Sequence, residues 1–541
     1  MEKIPDFIDY LLANDIQMSP YVDICYSPSR GYHVLLSPEV KKKSIGRNTP
    51  LACIPKAAVL SASSSVLANL LPDHDQRSLA GLVLAYLTEK AMGHRSPWFR
   101  YIDMLPDREH SCLRFWQQDE LEWVRATDAA DILRAADEDL TEMYDTVAAP
   151  FFKAQRATIT AVIGSENISW DAFTSKETFA DAVSVVAARC FEIDAFIGLG
   201  LCPVADLFNH SDHEDVRFET RFEVCEWCGS DDTCEHDAHA LVEAAAGEDD
   251  EADSPELGDG TVDELSGASP DGDDEDDDNE NEKDTCDIVV HKRIEVSCDG
   301  SIGQRTREIF NSYGSLSSAQ LLVKYGFAIR GNAHDYLSLE REMRSLYRDK
   351  GIPWHGEIAG EDRVDNDTNM EQLDGIPDIW AEVSEEDEST EHGDGKQHNN
   401  AKSDGGSGGE LKIDGRGRIS VHLWDRIVRY CDLTERSHSS RSYHEILGVL
   451  NSAPKSLANR VPGTCRLIIE TLLVLLGRRW DRYPDGGIFS AEYDYVISEE
   501  VASRELTDRG YRKRSALIVL ANEKQMLELA KVRCEKALGI A

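Results

Sequence analysis

Between residues 247 and 283 the chain reads GEDDEADSPELGDG and then, after a short spacer, DGDDEDDDNENEK, roughly half acidic and nearly free of large apolar side chains. Such a run buries too little apolar surface to offset the entropy of ordering it, so no core can pass through it. It is expected to stay disordered. Strand-like runs stand on both sides of it, VRFET before and DIVVHKRIEVS after, so it reads as an insertion within a domain. A second stretch, 346–417, mixes acidic residues with HGDGKQHNN and SDGGSGGE and reads as an acidic flexible linker, with IPDIWAEV able to dock.

The remaining chain alternates in character. Residues 1–60 hold short β-like runs, SRGYHVLLSPEV and LACIPKAAVL, broken by Gly and Pro. Residues 61–185 read as helical: Leu79, Leu82, Val83, Tyr86 and Leu87 recur at helical spacing. Short strands return in 186–345, including PVADLF. The tail, 418–541, is helical again, with Leu517, Leu520, Leu527 and Ala530 on one face of its last segment. The expected class is α+β, a β-rich core split by a helical insertion and followed by an all-helical lobe.

Charge narrows the partners. Of 541 residues 101 are acidic and 57 basic, a net charge of −44, which repels nucleic-acid phosphates and anionic membranes and attracts basic proteins. The most apolar window, LIIETLLVLLG, is too short to span a bilayer and carries Glu470. The start, MEKIPDFIDYLLAND, lacks the basic-then-apolar pattern of a secretory signal. With 13 Cys, mostly scattered singly, reduced thiols in the cytoplasm or nucleus are expected, in a monomer.

Two places concentrate chemistry. FEVCEWCGSDDTCEHDAH sets Cys225, Cys228, Cys234 and His236 close together, with His239 beyond; three thiols and an imidazole suit a structural zinc ion, while reduced cysteines meeting by chance in a loop are the plain alternative. Upstream, PVADLFNHSDHEDVRFE runs an apolar segment into Asn209-His210. Taken alone, His210 is best read as a hydrogen-bonded loop histidine, because no HExxH helix pattern accompanies it.

Further fragments change that second reading. AARCFEID (187–194), PVADLFNH, TREIFNSYG (306–314) and LLVKYGFAI (321–329) occur in an order that resembles the SET-domain protein lysine methyltransferases. The resemblance is closest to the subgroup of plant Rubisco large-subunit lysine methyltransferase and fungal ribosomal-protein lysine methyltransferases. Arg30-Gly31 resembles the subgroup's first β turn, and Ser96-Pro97-Trp98 to Leu105-Pro106 resembles a motif of its helical insertion. The implied fold is a split β-rich SET core that threads a C-terminal segment through a loop, with a helical substrate-binding lobe.

What the resemblance implies for the site follows residue by residue. Tyr313 would be the catalytic tyrosine beside the methyl-transfer channel. Arg30, Gly31, Ala188, Arg189, Asp206, Asn209, His210, Tyr313 and Phe327 would hold S-adenosylmethionine, with Ala188 standing where the family carries serine. Phe191, Asp206 and Tyr325 would face the substrate. The aromatic Phe191 suits a lysine stem, whereas a histidine-directed relative has a smaller polar residue there. The expected activity is protein-lysine N-methylation of a basic non-histone protein, such as a ribosomal protein or elongation factor. A histidine methyltransferase and an inactive scaffold that binds basic partners are the alternatives.

Overall fold

The computed structural model describes residues 3–28, 30–40, 44–164, 169–220, 224–230, 234–236, 284–296, 307–354, 411–435, 463–484, 488–502 and 507–539. His239, the acidic run at 247–283 and residues 355–410 of the linker lie outside the described residues.

Distant stretches of chain build the β core. β1 (Gln17–Met18), β5 (Pro50–Pro55), β10 (Thr285–Val290) and β9 (Val216–Thr220) form one antiparallel sheet in that spatial order. In β10 the alternating residues Cys286, Ile288 and Val290 point into the core, opposite Leu51, Ala52 and Ile54 of β5 and Val216 of β9 in the same cluster. β2 (Val22–Ser27) and β3 (Gly31–Leu36) form a hairpin, and β4 (Ser44–Ile45) pairs with β11 (Ile294–Glu295). β6 (Leu60–Ser61), β8 (Gly198–Leu201) and β7 (Cys190–Asp194) make a three-stranded sheet. Residues before position 62 thus pair with residues beyond 189, as the split-core reading requires.

The helical insertion lies between those halves. Its helix Leu79–Met92 is apolar on nearly all sides and buried from Ala80 to Glu89, as expected for a helix packed within a core. Ser78 caps it by accepting the Gly81 N–H at 3.1 Å. Trp98 anchors the Ser96-Pro97-Trp98 turn by donating from Nε1 to the Ala58 carbonyl at 3.0 Å.

The helical lobe begins earlier than position 418. Helix Glu340–Asp349 spans the boundary expected at 345, and β13 (Lys412–Asp414), inside the expected linker, pairs with β12 (Tyr336–Ser338). Leu337, Leu339, Met343 and Ile413 share one core with helices Val421–Glu435, Gly463–Trp480 and Ser490–Ala502. The last helix, Asp508–Leu538, gives Leu520, Leu527 and Ala530 to that core, with Leu517 packed at its edge. On another side it turns Ala516 and Val519 toward Leu113, Trp116 and Leu322, so it ties the lobe to the insertion and to the segment that follows the β core. Among the described residues no helix is long and apolar enough to cross a membrane.

A buried ion cluster locks the same junction. The Arg479 side chain is 0 % exposed, and its guanidinium reaches Asp128 of the insertion at 2.9 Å, Glu523 at 2.8 Å and the Ala126 carbonyl. Glu523 also accepts from the Tyr483 hydroxyl at 2.6 Å and the Asp128 N–H at 2.7 Å, and Asp128 accepts the Ser338 N–H at 2.6 Å. All four carboxylate oxygens are engaged.

Candidate active site

The segment from Arg307 to Tyr313 is laid between two others. On one side the Leu36 N–H donates to the Arg307 carbonyl at 2.7 Å and the Ile309 N–H to the Val34 carbonyl at 3.0 Å. On the other, the Asn311 N–H donates to the Asn209 carbonyl at 2.9 Å, and the Ser211 and Asp215 N–H groups donate to Asn311 and Phe310 at 3.0 and 2.8 Å. His210 and Asn311 form a parallel bridge, Leu35 and Glu308 an antiparallel one. This double pairing brings Tyr313 against His210, from which it is separated by 103 residues.

Around Tyr313 the rings close in. Its centroid lies 5.1 Å from that of His210 and 4.6 Å from that of Tyr325; Phe327 stands 6.1 Å from Tyr325 and 6.0 Å from His210. The Tyr313 N–H donates to His210 Nδ1 at 3.0 Å, which requires that nitrogen to be unprotonated and puts the ring proton on Nε2. Burial lowers the His210 pKa, consistent with a neutral ring. Burial likewise holds the Tyr313 and Tyr325 hydroxyls well above the usual phenol range, so both are neutral donors at neutral pH.

Gly326 sets the turn that separates Tyr325 from Phe327. Helix Ser318–Tyr325 starts with a capping box of Ser317 and Gln320 and ends with Gly326 at φ +82°. A Cβ on Gly326 would lie 2.3 Å from the Ser111 backbone, so only glycine allows this contact with the insertion. The Cys112 thiol, donating to the Lys324 carbonyl at 2.8 Å, fastens the same approach.

Asp206 is close enough for its charge to act on the Tyr313 hydroxyl. PVADLF forms a single 3-10 turn, entered through Val204 at φ +77°, a strained position for a β-branched residue. The Asp206 side chain is 0 % exposed; its Oδ2 accepts from the Tyr101 hydroxyl at 3.1 Å and lies 3.8 Å from Arg189 Nε. Among the described residues Oδ1 has no hydrogen-bond partner. Burial pushes the Asp206 pKa up to about 6, with Arg189 and Tyr101 pulling the other way. Arg189, positioned where helix Lys176–Ala187 turns through Ala188 into β7, pairs with Glu109.

The other residues fall on the periphery or in supporting positions. Arg30 pairs with Glu308, whose other oxygen accepts from the Asn209 amide at 2.8 Å, so the β2–β3 turn is linked to the Asn209-His210 segment. Gly31 opens β3 at φ +67° with nothing within 4 Å of where a Cβ would be. Phe191, on β7, stacks on Phe218 of β9 at 4.6 Å. Cys225, Cys228, Cys234 and His236 gather in a knuckle between β9 and β10.

Tyr101, Glu109 and Glu308 escaped the sequence reading. Glu308 had a signal, a carboxylate inside the apolar run REIFN. Tyr101 and Glu109 come from the helical insertion, and nothing local marks them for the pocket.

No family model matches the chain. The architecture is a β core split by a helical insertion, with residues 307–313 laid between two other segments and Tyr313 beside His210. Among solved structures the chain superposes on the SET domain of LSMT bound to lysine and AdoHcy with a TM-score of 0.55, at 12% identity, covering 100% of this chain and 92% of that one. It superposes on Rubisco LSMT bound to AdoMet with a TM-score of 0.53, again at 12% identity, covering 99% and 93%. Its sequence is 28% identical over 413 residues, 70% of each chain, to ribosomal lysine N-methyltransferase 3 of Saccharomyces cerevisiae. These likenesses support the resemblance read from the sequence: the chain has the SET fold seen in LSMT, and it is similar in sequence to a ribosomal lysine N-methyltransferase.

Proposed function

We propose that this protein transfers a methyl group from S-adenosylmethionine to a lysine of a basic non-histone protein, such as a ribosomal protein or an elongation factor. The observation that carries the reading is Tyr313, held between His210 and Tyr325 and within electrostatic reach of a buried, incompletely paired Asp206. These residues fit the cofactor. Asp206 offers an orphaned buried oxygen, and open space lies beside Gly31. Arg30, Gly31, Ala188, Arg189, Asp206, Asn209, His210 and Phe327 are the residues we assign to hold it. When bound, S-adenosylmethionine supplies an electrophilic methyl group on a cationic sulfonium.

The chain's own residues do the rest by placement. The incoming lysine must be neutral to attack, so its proton leaves to water first; a nearby positive charge and partial burial both favour that loss. A nitrogen–carbon bond forms as the carbon–sulfur bond breaks. The faces of Tyr313, Tyr325 and Phe327 attract the methylammonium product and narrow the channel. The neutral Tyr313 hydroxyl stays a hydrogen-bond donor, while its oxygen can accept weak C–H contacts from the methyl group. Phe191, an aromatic wall packed on Phe218, suits an aliphatic lysine stem.

Two facts support a basic substrate: the net charge of −44, and the yeast relative's designation as a ribosomal lysine methyltransferase. We place the enzyme in the cytoplasm or nucleus, as a monomer. The test is incubation of purified protein and labelled S-adenosylmethionine with ribosomes and cell extract, followed by mass spectrometry of the labelled peptide. Label on a lysine of a basic protein is expected. Label on histidine, or no label with any extract, would overturn the reading.

A further inference from the structure

The segment between β9 and β10 holds chemistry that methyl transfer does not use. The ligand atoms of Cys225, Cys228, Cys234 and His236 all lie within 4.8 Å of one another. A tetrahedral shell with metal–sulfur bonds of about 2.3 Å puts sulfur atoms about 3.8 Å apart, so the four groups already stand at nearly the size of such a shell. The backbone is shaped accordingly. The Trp227 N–H donates to the Cys225 sulfur at 3.4 Å, the Gly229 N–H to the Cys225 carbonyl at 2.8 Å, and the Cys225 N–H to the Ser230 carbonyl at 2.9 Å. Gly229, directly after the second cysteine, takes φ +71°, which turns the chain back at that point. Apolar packing does not explain the gathering, since Trp227 is largely exposed and Cys228 exposed.

The knuckle is also docked. A Cβ on Gly229 would come within 2.8 Å of the Phe196 ring, which sits in the turn joining β7 to β8. Asp194 fixes that turn, its side chain accepting from the Phe196 and Ile197 N–H groups at 3.0 and 2.7 Å. Arg77, at the start of the insertion, donates to the Glu226 carbonyl of the knuckle and packs its backbone on Gly198 of β8. We propose that Cys225, Cys228, Cys234 and His236 bind one structural zinc ion, which clips this segment onto the tip of the β7–β8 hairpin. Three thiolates and one imidazole in a tetrahedral shell select zinc over hard, oxygen-seeking cations. The clip steadies the hairpin whose first strand, β7, follows directly on Arg189 and carries Phe191.

The test measures metal in full-length protein purified without added zinc. About one zinc per chain is expected, falling to near zero in Cys228→Ser and staying at one in Cys25→Ser. Because a cysteine variant can lose its fold, replacement of zinc by cobalt in the wild-type protein gives an independent reading. Intense d–d bands and sulfur-to-cobalt charge transfer are expected from a tetrahedral thiolate site; octahedral cobalt spectra, or zinc-free wild-type protein, would overturn the proposal. Chelation should raise amide exchange across Ile193–Leu199, and unchanged exchange there would refute the clip.

Discussion

Around Arg479 and around Arg189 the chain gathers the same ingredients, an arginine, two carboxylates and a tyrosine, the first set buried and the second with Arg189 and Glu109 half-buried. In the first cluster Asp128, Glu523 and Tyr483 close on the guanidinium, and every carboxylate oxygen has a partner, although Arg479 Nε has none. In the second, Glu109 takes the arginine, and Asp206 keeps one oxygen on Tyr101 and leaves the other unpaired. Burial costs both clusters desolvation, which only full pairing offsets. The closed cluster joins insertion to lobe and is available to no ligand. The open one acts electrostatically on Tyr313 and retains an interaction to offer.

That contrast can be broken most severely at Arg479. Arg479→Met leaves Asp128 and Glu523 buried without their cation and should cost about 3–5 kcal/mol in urea denaturation. Cofactor affinity of the folded fraction, measured by calorimetry, should stay near normal; a cost below about 1 kcal/mol would deny the cluster its structural role.

Next in size is Gly326→Ala. Left-handed backbone and collision with Ser111 together should cost about 2–4 kcal/mol in the same experiment. Because the turn spaces Tyr325 from Phe327, turnover should fall in protein that remains folded. A neutral substitution would mean the insertion can withdraw from the turn.

The smallest effect is the titration of Asp206. Its folded pKa of about 6 exceeds that of an unfolded aspartate, near 3.9, so this group's contribution to stability declines as pH rises from about 4 to 6 and is flat above. Affinity for the cationic cofactor should move the other way, rising through pH 6 as the carboxylate ionises. The gain should be no more than about tenfold, and Asp206→Asn should abolish the step. An unchanged step in that variant would assign it elsewhere.

The candidate site could be drawn from the sequence because the segments PVADLFNH, REIFNSYG and LLVKYGFAI are short, contiguous and ordered. Each places its residues through local geometry, a 3-10 turn, an extended segment paired on both sides or a glycine-capped helix. Tyr101 and Glu109 were hidden because they reach Asp206 and Arg189 across 105 and 80 residues, through packing of the insertion that no local pattern encodes. The return of strand-like runs after the helical block was visible, and the resemblance joined the two β pieces into one split core. β13 was not, being three residues at the end of a glycine-rich acidic stretch; its alternation of buried Leu411 and Ile413 gains meaning only opposite Tyr336–Ser338.

The central claim is that the open cluster and Tyr313 form a site that methylates lysine. Its most direct measurement compares wild-type protein with Tyr313→Phe, using labelled S-adenosylmethionine, a ribosomal-protein mixture and mass spectrometry of the product. Loss of one placed hydroxyl at the reacting centre should reduce transfer on the order of 10²-fold, with cofactor affinity preserved and the wild-type label on lysine. Equal transfer by the two proteins, or label on another residue type, would contradict it.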